Sequence, residues 1–295
     1  MIFTTDRVQF KDEKFIVFEF YDIEKDEEYK SYIKMKMEYL KNVELFDVCY
    51  FIAHKNKFKK FRVIKYDNLT KEKQDTKMNF NEFKKWFCEI NGSSSRSKPL
   101  TSEGDKYVQN ILNRVNGEFD FRNDDNGIEL TKKTLSGNVT TGFDFDLFET
   151  ESKSIIEFLK RDSEYLDNKK AHPARYPWNY QKFTSLWNAR NRIDGELFLV
   201  NYSNDGTDKD KEISVIKVID YSTEDKKIVS DIGYLLNGFD DLVKWLKLLE
   251  NSSEEAKEYL EEKPRQVRNE NWWENVYSDF DSNRHMIGEE YEEYI

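Results

Sequence analysis

The sequence predicts a mixed α+β chain (α/β in the broad sense), a central mixed sheet flanked by helices with a smaller N-terminal α+β domain in front. Three observations carry this. Strand-like apolar runs alternate with segments whose apolar residues recur at helical spacing, so neither an all-helical nor an all-β fold fits. A run of small and polar residues, Asn91-Gly-Ser-Ser-Ser-Arg-Ser-Lys-Pro99, divides the chain. Beyond it, Phe143–Phe148 alternates apolar and acidic residues and is followed closely by the apolar run Ile155-Ile-Glu-Phe-Leu159, the pattern of a tight hairpin.

Taken in order, strands at Arg7–Phe10 and Lys14–Tyr21 lead into a helix over Glu27–Lys41, with Tyr29, Tyr32, Ile33, Met37 and Leu40 at helical spacing. Strands at Leu45–Ala53 and Phe61–Tyr66 follow, then a short helix, Asn81–Ile90. After the linker, Ser102–Val115 reads as a helix with Ser102 as N-cap, and Gly117–Arg122 and Ile128–Thr134 read as strands. The hairpin comes next, then a helix over Trp178–Arg192, strands at Gly195–Tyr202 and Ile213–Tyr221, and an amphipathic helix over Phe239–Glu250. The expected domains are 1–98, 99–262 and an acidic tail or helix over 263–295.

Two distant segments share order and spelling. Glu44-Leu-Phe repeats as Glu196-Leu-Phe, and Val63-Ile-Lys65 as Val215-Ile-Lys217, both at an offset of 152 residues. Asn79-Phe-Asn-Glu-Phe-Lys-Lys-Trp86 parallels Gly238-Phe-Asp-Asp-Leu-Val-Lys-Trp245, and Val17-Phe-Glu-Phe20 parallels Ile155-Ile-Glu-Phe158. An internal repeat is one reading and chance among aromatic-rich strands the other. As a repeat, the first copy keeps Glu19 but shows no counterpart of Asp146 at the matching distance, which makes it a non-catalytic scaffold or binding copy.

The formal net charge of −11 argues against a protein that coats nucleic acid non-specifically, since polyanion binding rests on Lys and Arg neutralising phosphates. It leaves room for a local basic groove. Cys49 and Cys88 sit in apolar surroundings and form no CxxC pair, as in a reducing compartment. No apolar run approaches the roughly 20 residues needed to span a bilayer, and the N-terminus lacks a signal peptide's apolar stretch. A cytoplasmic protein is expected. The abundance of Lys, Asn, Glu, Asp, Ile and Tyr suits an AT-rich genome such as that of a low-GC bacterium, its phage or a mobile element.

The hairpin carries the chemistry. Asp144 and Asp146 share one strand face, and Glu157 lies within an apolar run where an unpaired carboxylate costs several kcal/mol and so needs a counter-charge, a raised pKa or a metal. Over residues 102–221 the order of elements, with Asp146 on one strand, Glu157 on the next and Lys160 behind it, resembles the core of the PD-(D/E)XK restriction-endonuclease-like nucleases. The resemblance implies Mg2+ (or Mn2+) held by Asp146 and Glu157, with a lysine steering the water that attacks a phosphodiester; Asp144, which competes with Asp146 at a similar spacing to Glu157, is read as an accessory ligand or an outer-shell base. The family spells Glu-X-Lys, whereas Glu157-Phe-Leu-Lys160 sets the lysine an odd number of residues away. A bulge near Leu159 would re-aim Lys160. Lys182 on the following helix is the alternative, beside Gln181, which resembles a helix glutamine of several family branches.

A substrate track is expected over Lys169–Lys182, where Lys169, Lys170, His172 and Arg175 interleave with Tyr176 and Trp178, and Arg190 extends the charge. The function so expected is a metal-dependent nuclease acting on nucleic acid, DNA first, with a homodimer as one form of assembly. The rival is a non-enzymatic acidic inhibitor that imitates nucleic acid and occupies a host protein's basic cleft. A third reading is a nucleic-acid-binding module that has lost its chemistry.

Overall fold

The structure, a computed structural model, describes residues 1–42, 45–91, 114, 126–135, 142–160, 180–203, 206–275 and 278. It is mixed α+β and divides into two compact units, Met1–Phe148 and Glu149–Ile295. The Ser-rich stretch 92–100 and the segments expected as helix 102–115 and strand 117–122 lie outside the described residues, Arg114 excepted.

In the first unit β1 (Ile2–Lys11) and β2 (Lys14–Asp22) form an antiparallel hairpin. Its two turn residues, Asp12 and Glu13, both take positive φ, 50° and 64°, which matches the twist of the strands they join. Helix α1 (Glu27–Asn42) then crosses over to β3 (Val48–Lys55), parallel to β2. Strands β4 (Lys60–Asp67) and β5 (Glu72–Asn79) add antiparallel, followed by α2 (Phe80–Asn91), α3 (Asn126–Leu135) and β6 (Phe143–Glu149). The sheet order is β6-β1-β2-β3-β4-β5. Phe18, Phe20, Phe83, Phe87, Leu130 and Leu135 are buried in one core cluster that ties β2 to α2 and α3. Alternation along β2 therefore turns Glu19 the other way.

One reading changes here, and one strand appears that the sequence reading lacked. The strand expected at Ile128–Thr134 is the helix α3, in which Leu130, Thr131, Thr134 and Leu135 are buried and Glu129 pairs with Lys133 one turn on. The β-branched Ile128, Thr131 and Thr134 suggest a strand, but burial of a helical stripe overrides that preference. Strand β5, Glu-Lys-Gln-Asp-Thr-Lys-Met-Asn, shows no apolar alternation because it is an exposed edge held by its backbone pairing to β4.

In the second unit β7 (Ser154–Lys160) is followed by α4 (Tyr180–Ile193) and by β8 (Glu196–Tyr202), parallel to β7. Strands β9 (Glu212–Ser222) and β10 (Lys227–Asn237) add antiparallel, then helices α5 (Gly238–Asn251) and α6 (Ser253–Glu261) and the short β11 (Arg265–Arg268). The order is β7-β8-β9-β10-β11.

The series β2-α1-β3-β4-β5-α2 and β7-α4-β8-β9-β10-α5 thus share one plan: a parallel pair through a helix, two antiparallel additions, then a helix. Register makes the match residue by residue. Glu19 pairs with Phe51 and Phe51 with Ile64, while Glu157 pairs with Leu199 and Leu199 with Ile216. Ile64 and Ile216 are therefore equivalent at the offset read from the sequence. The Glu44 match is not structural, because Val48 and Glu196 open the equivalent strands. Phe83 and Phe87 of α2 and Leu242 and Leu246 of α5 are buried alike.

The stretch expected as an acidic tail begins with a lock. On β10, just after a register shift, the Asp231 carboxylate accepts from Arg268 Nε at 2.7 Å and from Trp273 Nε1 at 2.7 Å, all three side chains being buried. Gly233 leaves the room: a Cβ there would stand 3.1 Å from Arg268 Nη2. Burial pushes the Asp231 carboxyl up to about 6, against the pull of Arg268 and Trp273. Since this pKa is raised, the folded state holds more protons than the unfolded state between about pH 4 and 6, and the residue's contribution to stability falls as pH rises through that window. Urea unfolding of the wild type and Asp231→Asn at several pH values is expected to show the difference between them shrinking as pH rises from about 4 to about 6; a constant difference contradicts the assignment.

Candidate functional site

Glu157 lies midway along β7 between Ile156 and Phe158, and nearly all its surface is buried. Its Oε1 stands 2.5 Å from Nζ of Lys182, in the first turn of α4. The carboxylate side chain is 4% exposed and the lysine 32%, so the pair has a buried acidic end and a reachable cationic end.

The first unit holds the same kind of pair in a closed form. Glu19 on β2 meets Lys36 on α1, with side chains only 3% and 5% exposed. Lys36 Nζ lies 5.4 Å from the centroid of Phe3, and Asp6 Oδ2 accepts from the backbone N–H of Phe20 at 2.6 Å. Burial holds the Tyr32 hydroxyl well above its ordinary range, and the charges of Glu19 and Asp6 add to this. The first copy thus has an aspartate after all. Counting back from Glu19 along the sequence missed Asp6, since nothing in β1 sets it apart from other strand acids. Lys36 was legible in hindsight: it lies three residues after Ile33 and four before Leu40, within the stripe that α1 buries.

Of the residues expected to act, the structure brings Glu157 and Lys182 together and leaves Lys160 elsewhere. β7 pairs with β8 in unbroken register from Ser154 to Lys160, so no bulge occurs at Leu159. Lys160 is exposed at the strand end, an odd number of residues from Glu157 and on the other face. Gln181 is exposed beside Lys182, and Arg190 lies with its guanidinium 4.9 Å from the centroid of Trp187. Lys169, Lys170, His172, Arg175, Tyr176 and Trp178 lie outside the described residues.

Asp144 and Asp146 are half-buried on β6, in the first unit. Asp144 has a counter-charge there in Arg7, whose guanidinium is lowered to about 10 by burial while Asp144 opposes that shift. Arg7 Nε donates to Asn91 Oδ1 at 2.6 Å, and a Cβ on Gly142 would come within 2.1 Å of Arg7 Cζ. An accessory ligand role for Asp144 has to compete with this arginine.

Among the described residues no group of three or more His, Cys, Asp or Glu side chains gathers as a resident metal requires. Mg2+ commonly binds through one or two carboxylates, with water and substrate phosphate filling the rest of its shell. Neither cysteine is placed for nucleophilic work, since burial pushes the Cys49 thiol up to about 12 and Cys88 donates to the Thr134 carbonyl. No helix among the described residues is long and apolar enough to cross a membrane. No family model, curated protein or solved structure matches the chain.

Removing one partner of a buried ion pair leaves a charge stranded. Glu19→Leu is therefore expected to cost about 3 to 5 kcal/mol in chemical denaturation, and Lys36→Met added to it to recover most of the loss. Glu157→Leu should cost clearly less, because the lysine it leaves behind, Lys182, is reached by water. Equal losses at Glu19 and Glu157 contradict the contrast drawn between the two pairs.

Proposed function

We propose that the chain is a divalent-metal-dependent nuclease that hydrolyses phosphodiester bonds, with DNA as the polymer and the second copy as the working one. The observation that carries this reading is the contrast between two equivalent pairs: Glu19–Lys36 is sealed, whereas Glu157–Lys182 keeps a lysine that water and substrate reach. The order antiparallel hairpin, helix, parallel strand in the first unit, and strand, helix, parallel strand in the second, supports a restriction-endonuclease-like core.

In this reading Glu157 would hold Mg2+ or Mn2+ together with oxygens of water and substrate phosphate, and the ion would supply Lewis acidity to a bound water and to the phosphate. Lys182 takes the lysine role in place of Lys160. Its ammonium neutralises phosphate charge and orients the attacking water, while Glu157 keeps that ammonium aimed. Gln181 and Arg190, with Lys169, Lys170, Arg175, Tyr176 and Trp178, form the track that holds backbone phosphates and stacks bases.

The rival reading, an acidic non-enzymatic protein that occupies a host protein's basic cleft, draws on the net charge of −11 and on the lack of a three-ligand cluster among the described residues. Incubation with duplex and single-stranded DNA and RNA separates the two. Cleavage is expected with Mg2+ or Mn2+ and not with EDTA, to fall by about 100-fold or more in Glu157→Gln and Lys182→Met, and to persist in Lys160→Ala. Absence of cleavage with either ion, or cleavage indifferent to Glu157→Gln, removes the nuclease reading and leaves the protein-binding one.

A further inference from the structure

The second unit carries one further built feature besides its ion pair. In the second unit α5 is followed at once by α6, and Ser252 caps α6 through the Glu255 backbone N–H. Tyr259 and Lys263 both bond the Asp241 carboxylate at the start of α5, at 2.6 and 2.9 Å, so the two helices are braced against each other. Between this helix pair and the face of β8–β10 lies a cavity of about 110 Å3. Phe198, Ile219, Ile232, Trp245, Leu249 and Leu260 give it an apolar lining. The two small residues on the α6 wall, Ser253 and Ala256, leave the space that larger side chains would fill.

The mouth has a different character. Lys257 and Glu261 lie one turn apart on the exposed side of α6, and both border the cavity, across from the Glu196–Lys217 ion pair. Glu196 and Glu261 also raise the Tyr234 hydroxyl, after burial as the larger cause. An apolar cavity of about 150 Å3 takes benzene, so this smaller one takes a branched group of about four carbons. Beside that apolar socket stand one cation and one anion of α6, so a ligand that fills the socket can present a carboxylate to the one and an ammonium to the other.

We propose that this socket binds a small zwitterion with a branched aliphatic side chain, an amino acid of the leucine, isoleucine or valine class. The side chain enters between Trp245 and Ala256, the ligand carboxylate faces Lys257 and its ammonium faces Glu261. Burial of the hydrocarbon supplies most of the attraction and the paired charges set the orientation. The proposal is independent of the nuclease reading, because none of these residues belongs to the Glu157–Lys182 pair.

Isothermal titration of the full chain with L-leucine, L-isoleucine and L-valine tests it, with glycine and L-glutamate as controls. Saturable binding of the branched amino acids and none of the controls is expected. Ala256→Phe, which fills the socket, should abolish binding while near-UV circular dichroism remains that of the wild type. Lys257→Glu, on the exposed side of α6 and tolerable to the fold, should weaken binding at least tenfold, so the proposal stays testable should Ala256→Phe not fold. Failure of all three amino acids to bind, binding of glycine as tight as leucine, or affinity unchanged in Lys257→Glu overturns it.

Discussion

Everything in this protein turns on how a glutamate is kept charged inside a sheet. A strand that runs parallel to its neighbour is covered on both faces, so a carboxylate at its centre stays ionised only if a cation reaches it through the covering layer. In both units that cation is a lysine from the helix that makes the parallel crossover. The same connection that builds the parallel pair therefore supplies its counter-charge. Glu19 and Glu157 occupy the same register position, opposite Phe51 and Leu199, so the arrangement belongs to the repeated plan.

The difference between the copies is one of depth. Lys36 comes from the middle of α1, amid Ile33 and Leu40, and its ammonium is enclosed beside the ring of Phe3. Lys182 comes from the first turn of α4 and stays about one-third exposed. A sealed pair can only hold the fold together. A pair with one reachable end is also open to solutes and to salt, and this exposure is what separates the two pairs.

Much of this was legible in the sequence, and the failures have physical causes. Strong periodicity announced β2, α1, β7, β8, α4 and α5, and the shared spelling around Val63-Ile-Lys65 and Val215-Ile-Lys217 offered a repeat as one of two readings, the registers placing these residues at the same strand positions. The readings faltered where backbone pairing or tertiary burial decides the outcome. β5 is a charged edge without alternation, α3 is a helix spelled with β-branched residues, and β11 consists of four residues held by one buried arginine. At the site, Glu157 stood out as an acid in an apolar run, and Lys182 was already one of two lysine candidates. What the sequence could not show was that β7 pairs with β8 without a bulge, which leaves Lys160 on the other face from Glu157, or that Lys36 pairs with Glu19 in the first unit.

Lysine accessibility measured by amine labelling and mass spectrometry, with and without a DNA oligonucleotide, tests the contrast most directly. The account expects Lys36 to resist labelling until the protein unfolds, and Lys182 to label in the folded state and to be protected by the nucleic acid. Labelling of the two lysines at the same rate, or a Lys182 that DNA leaves equally reactive, contradicts it.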